Sequence, residues 1–276
     1  MMEISRRRWI VVVLILMTPL TVGAAGSAID ATGAETMQDR SIKDHDSKKR
    51  EGLSETTVPG QEDGRLSKPK KIPIYRPPLR GAPSGRVAGG TRGFGEQIPQ
   101  LCALVPEHVG LTVNEQPRLY YFLSGPSVLP LEFTLSERQA VFPLVETRIP
   151  PPQSAGIHEI ELAEYGKRLK TGIQYRWFIA LVPDTEHRSK DILASGAIEL
   201  ISASEALKLK LKQTNYVEAA YVYAEAGFWY DALADISEAI TEDQGNRDLV
   251  RQRASLLEQV GLREASHYEN KSADAK

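Results

Sequence analysis

The sequence has a single cysteine, Cys102. One thiol excludes an intrachain disulfide and a thiolate-rich metal centre. Its neighbours Leu101, Ala103 and Leu104 are apolar, which reads as a buried, inert side chain. A nucleophilic thiolate needs a cationic neighbour and partial exposure. The histidines (His45, His108, His158, His187 and His267) are scattered without ligand spacing. Neither sign of charge prevails: 34 Lys and Arg stand against 36 Asp and Glu, a net charge of -2. That balance excludes the basic footprint of a general nucleic-acid binder. No unbroken apolar run approaches the roughly 20 residues of a comfortable membrane span. Aromatics are sparse, at 7%.

Catalytic loops are missing as well. Gly125-Pro-Ser127 lacks the closing glycine of a nucleophile elbow. Gly89-Gly-Thr-Arg-Gly-Phe-Gly95 lacks the Lys-Ser/Thr of a phosphate loop, and no strand precedes it. Glu132/Glu137 and Glu159/Glu161 fall on strands or turns facing solvent, so no acid pair for glycoside chemistry stands out. These absences favour a non-enzymatic protein that needs no cofactor and no metal.

What is present divides the chain. Arg6, Arg7 and Arg8 precede the apolar run Ile10–Leu16, which Pro19 interrupts. Small residues follow at Val22-Gly-Ala24 and Gly26-Ser-Ala28. This is the pattern of a signal peptide over residues 1–28, which predicts an exported, periplasmic or extracellular protein with no transmembrane segment after cleavage. Residues 29–71 carry nine acidic and nine basic side chains, few apolar ones and no periodicity. They are predicted to form a disordered, charged linker, because too little apolar surface offsets the ordering cost of about 1–2 kcal/mol per residue.

Residues 72–201 are predicted to hold an Arg/Gly/Pro-rich lead-in segment and a β-sandwich. Leu131, Phe133 and Leu135 alternate with Glu132, Thr134 and Ser136, and His158, Ile160 and Leu162 with Glu159 and Glu161. The strongest alternation is Ile173, Tyr175, Trp177, Ile179 and Leu181. Seven or so short strands at this spacing predict an immunoglobulin-like antiparallel sandwich with Trp177 in its core. A sugar-stacking Trp177 is the alternative.

Residues 202–264 change to a helical period. Ser202 and Ser204 are candidate N-caps, Gly227 a helix end, and Trp229, Ala232, Leu233, Ile236 and Ala239 mark one apolar face. Tyr216, Ala220 and Gly227 echo at Val250, Ala254 and Gly261, a 34-residue step that is the tetratricopeptide period. The fold class expected is therefore mainly β with a C-terminal α segment of docked, tetratricopeptide-like helices. A polar tail is predicted at 265–276.

One stretch stands out as a signature. Tyr75, Arg76, Arg80, Arg86 and Arg92 lie in a basic, Gly/Pro-rich segment ending at Gly95, with no acid among them. These residues are read either as structural forks that bind backbone or as a binding arm for an acidic partner. The segment resembles the opening signature of bacterial domain-of-unknown-function family 928. The likeness continues through Leu101–Pro106, Gly110-Leu-Thr112, Tyr120–Phe122, Tyr175-x-Trp177 and Tyr223-Ala-Glu-Ala-Gly-Phe-Trp-Tyr-Asp-Ala-Leu233, to Leu262. The resemblance implies an exported bacterial protein in which sheets and helices form one unit. It implies no activity, cofactor or catalytic residue. The leading expectation is a non-catalytic cell-envelope module whose partner is another envelope protein. The alternative is a carbohydrate-binding or carbohydrate-acting protein with polysaccharide as partner, motivated by Trp177 and Tyr120-Tyr-Phe122.

Overall fold

The computed structural model describes residues 72–78 and 98–275. The expected signal peptide and charged linker lie outside the described residues, as do Arg80, Arg86 and Arg92. Among the described residues, no helix is long and apolar enough to cross a membrane.

Among the described residues, eight strands form two sheets. β1 (Leu101–Ala103), β3 (Arg118–Leu123) and β6 (Gly156–Glu161) make a three-stranded antiparallel sheet in the order β1-β3-β6. The second sheet has the order β2-β8-β7-β4-β5, from β2 (Gly110–Thr112), β8 (Ile192–Leu200), β7 (Gln174–Leu181), β4 (Leu131–Glu137) and β5 (Val145–Ile149). Alternation dictates its central strands. Tyr175, Trp177, Ile179 and Leu181 are buried on β7, facing Leu135, Phe133 and Leu131 of β4 on the same side. Ile173 lies just before the strand and is exposed.

The alternation predicted antiparallel pairing throughout, and the second sheet departs from it: β2 pairs with β8 in parallel, Leu111 opposite Glu199. The chain leaves the three-stranded sheet after β1, adds a short edge to the other sheet, and returns as β3. A three-residue Gly-Leu-Thr strand carries no period to read, so this crossing is set by tertiary contacts.

Trp177 is fully buried, which places it in the core as expected and removes it from any sugar-facing surface. Its cross-strand neighbour is Gly196. A Cβ there would sit 2.9 Å from the indole Nε1 and 2.7 Å from Val105, so the ring fits only over a glycine.

Five helices follow: α1 (Glu205–Leu211), α2 (Tyr216–Ala226), α3 (Trp229–Glu242), α4 (Arg247–Gln259) and α5 (Arg263–Asp274). Ser204, rather than Ser202, caps α1, its Oγ accepting the Leu207 N–H at 3.2 Å. Asn215 caps α2 in the same way, and Asn246 caps α4. Gly227 closes α2 in the left-handed conformation, φ 84°.

α5 occupies most of the stretch expected to be a polar tail. Its inward face is Ala265, Ser266, Glu269 and Ala273, which hydropathy alone does not mark as buried. Glu269 is accommodated because the Arg253 guanidinium of α4 reaches it at 2.7 Å and also donates to the Ser237 hydroxyl of α3 at 3.1 Å.

Sheets and helices share one hydrophobic cluster. Aromatic side chains make three of the buried hydrogen bonds that tie α3 to the sheets. The Trp229 indole donates to the Leu104 carbonyl at 2.8 Å, the Trp177 indole donates to the Tyr230 hydroxyl at 2.9 Å, and that hydroxyl donates to the Ala197 carbonyl at 3.0 Å. At the other end of the helices, the α5 Tyr268 hydroxyl donates to Ala155 at 3.1 Å and the ring meets Phe122 edge-on.

Candidate functional site

α3 places Asp231, Asp235, Glu238 and Glu242 four, three and four residues apart, which sets all four on one side of the helix. That side faces the connection between β2 and β3. With Thr112, Asn114, Gln116, Pro117, Arg118, Glu161 and Tyr216, the four acids line a cleft of about 440 Å³. Two adjoining hollows extend it, one past Glu115, Arg168 and Tyr223, the other past Leu211, Asn215 and Tyr216. Asp235 borders all three.

The acids differ in their surroundings. Asp231 is only 8% exposed. One carboxylate oxygen accepts the Thr112 hydroxyl at 3.2 Å and the other the Val113 N–H at 3.1 Å. Both donors are neutral, so no cation offsets the loss of water, and burial pushes the carboxyl up to about 7. Asp235, one turn on, is half-buried, accepts no hydrogen bond and makes no ion pair among the described residues; burial raises its carboxyl to about 6. Arg118 is the cation at the centre of the cleft. It pairs with Glu238 and with Glu161, the latter at 3.3 Å, and not with Asp231. On the rim, Arg168 and Glu115 pair at 2.9 Å. Tyr216 stands at the lip, 62% exposed. Among the described residues no three His, Cys, Asp or Glu side chains are grouped to hold a metal ion.

Of the signature residues, Tyr75 is an anchor. It is buried, its ring meets Trp229 edge-on with centroids 5.1 Å apart, and its hydroxyl lies 2.9 Å from His108 Nε2. Its backbone N–H donates to Gln259 of α4 at 2.8 Å, and Gln259 donates back to the Pro73 carbonyl at 2.9 Å. The Arg76 N–H bonds the Ala224 carbonyl near the end of α2, but its guanidinium makes only an exposed pair with Glu225 at 3.4 Å, worth little to stability. Residues 73–78 thus run along the helices, with Tyr75 also reaching His108 on the β1–β2 connection. Gly227 permits the approach: a Cβ there would lie 2.8 Å from the Arg76 carbonyl. Tyr75 and Arg76 are not part of the cleft.

Tyr120, Tyr121 and Phe122 are each 3% exposed or less, so the aromatics that suggested carbohydrate stacking are core residues. The acid row on α3 was present in the sequence as a helical spacing of carboxylates. Such a row reads as a solvated face until the β2–β3 connection is known to close over it.

Residues 87–269 match the family described as Domain of Unknown Function (DUF928), more than half of the chain. The chain belongs to the DUF928 family. Every residue lining the 440 Å³ cleft falls inside the matched stretch, as do both sheets and the first four helices. The DUF928 match begins after Tyr75 and Arg76, later than the resemblance that opens at Tyr75, and runs on into α5. No curated protein matches the chain. Among solved structures, a multi-domain immunophilin from Arabidopsis thaliana is similar at 10% identity over 71% of this chain and 99% of that one. Its TM-score of 0.16 carries no argument about the DUF928 fold.

Proposed function

We propose that this DUF928 protein is an exported, non-catalytic binding module of the cell envelope that grips a basic segment of a partner protein along α3. The observation that carries the reading is the unbalanced charge of the cleft. Five carboxylates line it against one guanidinium, and that guanidinium is already engaged by two of them. Walls of low dielectric focus such a field, so the cleft attracts cations although the whole chain is near neutral. Asp235 supplies an unengaged carboxylate, and the exposed Tyr216 ring at the lip suits the face of a guanidinium or ammonium. Export is supported by the Arg6–Arg8 cluster and the apolar run after it.

In this reading the two sheets act as an immunoglobulin-like sandwich, and the helices as a degenerate tetratricopeptide-like pair docked on it. Support for the repeat comes from its equivalent positions. Gly227 and Gly261 are both left-handed, and Ala220 and Ala254 are both fully buried. Two hairpins are fewer than a free-standing solenoid needs, which is a reason for them to rest on the sheets.

An arginine-rich peptide of about a dozen residues tests the reading by calorimetry. Micromolar binding is expected, weakening as salt rises. Asp235→Lys should reduce affinity roughly tenfold or more, a loss of about 1.4 kcal/mol. Glu186→Lys, an exposed acid on the β7–β8 connection, should not. Equal losses from the two substitutions would show diffuse attraction and overturn the assignment of the cleft.

A further inference from the structure

The seam between α3 and the β2–β3 connection is closed by a carboxyl group with no cation. Asp231 joins the two elements through Thr112 and Val113 and lines the cleft at the same time. We propose that Asp231 and Asp235 make the cleft a pH-dependent clamp, which holds a cationic segment above neutral pH and releases it in mild acid. The clause about the guest rests on the function proposed above; the change in the seam does not.

The geometry accepts both protonation states of Asp231. As a carboxylate it takes the Thr112 hydroxyl and the Val113 N–H. Protonated on the oxygen facing Thr112, it becomes a donor to that hydroxyl, which can rotate and accept, while Val113 stays bonded to the other oxygen. The Thr112 hydroxyl already accepts the Asn114 N–H at 3.0 Å and has a second lone pair available. The contact between Asp231 and Thr112 is therefore kept with donor and acceptor exchanged, the Thr112 proton turns away from the carboxyl, and the buried charge is removed.

No cation pairs with Asp231, and the nearby Arg118 offsets the burial of Asp235 only in part. From α3 itself come Asp235, Glu238 and Glu242, all acidic. From the β2–β3 side come Glu115 and Arg118, and from the end of β6 and the loop beyond it Glu161 and Arg168. Each arginine is engaged by carboxylates other than Asp231 and Asp235. From α2 come Tyr216 and Tyr223, and the half-buried Tyr223 phenol is itself pushed up to about 12, first by burial and then by the two aspartates.

The direction follows from linkage. Both carboxyls titrate higher in the folded protein, at about 7 and about 6, than the ordinary 3.8. The folded state then binds more protons than the unfolded chain between about pH 4 and pH 7. Their stabilising effect is complete below that window and is lost as the pH rises through it. Acid should tighten the seam and discharge the cleft; alkali should charge the cleft and loosen the seam.

Thermal unfolding of the whole protein between pH 5 and pH 8 tests this. Wild type should lose on the order of 5–10 °C in Tm across that range. Asp231→Asn, which keeps an acceptor for Val113, should flatten the slope and melt above wild type at pH 8. Asp235→Asn should do the same more weakly. Carboxyl carbon NMR reads the titration without any substitution: a midpoint near neutrality at Asp231 is expected, and one near pH 4 would sink the proposal. The same arginine-rich peptide should bind at least tenfold more weakly at pH 5 than at pH 8, since its own charge is constant there. A flattened slope with no peptide binding at either pH would retain the titrating seam and remove the cationic guest. Peptide binding of constant affinity, with parallel slopes for wild type and Asp231→Asn, would remove the clamp and retain the binding cleft.

Discussion

Trp177→Ala is expected to cost about 3–5 kcal/mol of stability, measured by urea unfolding. The side chain is fully buried at the centre of the five-stranded sheet, between Leu135 of β4 and Gly196 of β8. Truncation leaves a cavity between rigid strands, and it also removes the indole donor to Tyr230. Tyr230 would keep its bond to the Ala197 carbonyl, so the link between α3 and β8 would be weakened and not cut. Trp177→Phe separates the two contributions. It fills most of the volume and loses only the hydrogen bond, so a cost of about 1–2 kcal/mol is expected. A loss below about 1 kcal/mol for Trp177→Ala would mean that the two layers do not depend on this residue.

Arg253→Ala is expected to be as damaging, at about 3–5 kcal/mol, for an electrostatic reason. The side chains of Arg253 and Glu269 are only 12% and 6% exposed. Removing the guanidinium strands the Glu269 carboxylate between α4 and α5 and takes a donor from Ser237. Replacing both partners, as Arg253→Met with Glu269→Leu, should recover most of the loss, because an apolar pair has no charge to desolvate. Equilibrium unfolding of the two single variants and the double variant checks this as a cycle. Near-additive losses would show that the pair does not act as a unit.

The parts of the fold that were legible are those written in local period. Tyr175, Trp177, Ile179 and Leu181 alternate, and they are the inward face of β7. Gly227 ends α2 because a left-handed residue was needed there. What could not be read depends on partners distant in sequence. β2 is three residues long and exists because β8 offers an edge. α5 looks like a polar tail until Arg253 is seen to meet Glu269. Tyr75 was visible as a signature, but its support, Trp229 and Gln259, lies more than 150 residues away along the chain. The acid row of α3 was likewise legible as a pattern. Its meaning came from Thr112–Arg118, which close over it and turn a polar helix face into one wall of a cleft.

The α3 cleft is proposed to bind a basic segment of a partner protein in the envelope. The most direct measurement is photo-crosslinking in living cells from an aromatic photoreactive residue placed at Tyr216 on the cleft lip. The same residue at Val128, 90% exposed on the β3–β4 connection, is the control. An adduct is expected from position 216 alone, joined within a lysine- or arginine-rich stretch of another exported protein and abolished by Asp235→Lys. Adducts identical from both positions, or unaffected by Asp235→Lys, would contradict it.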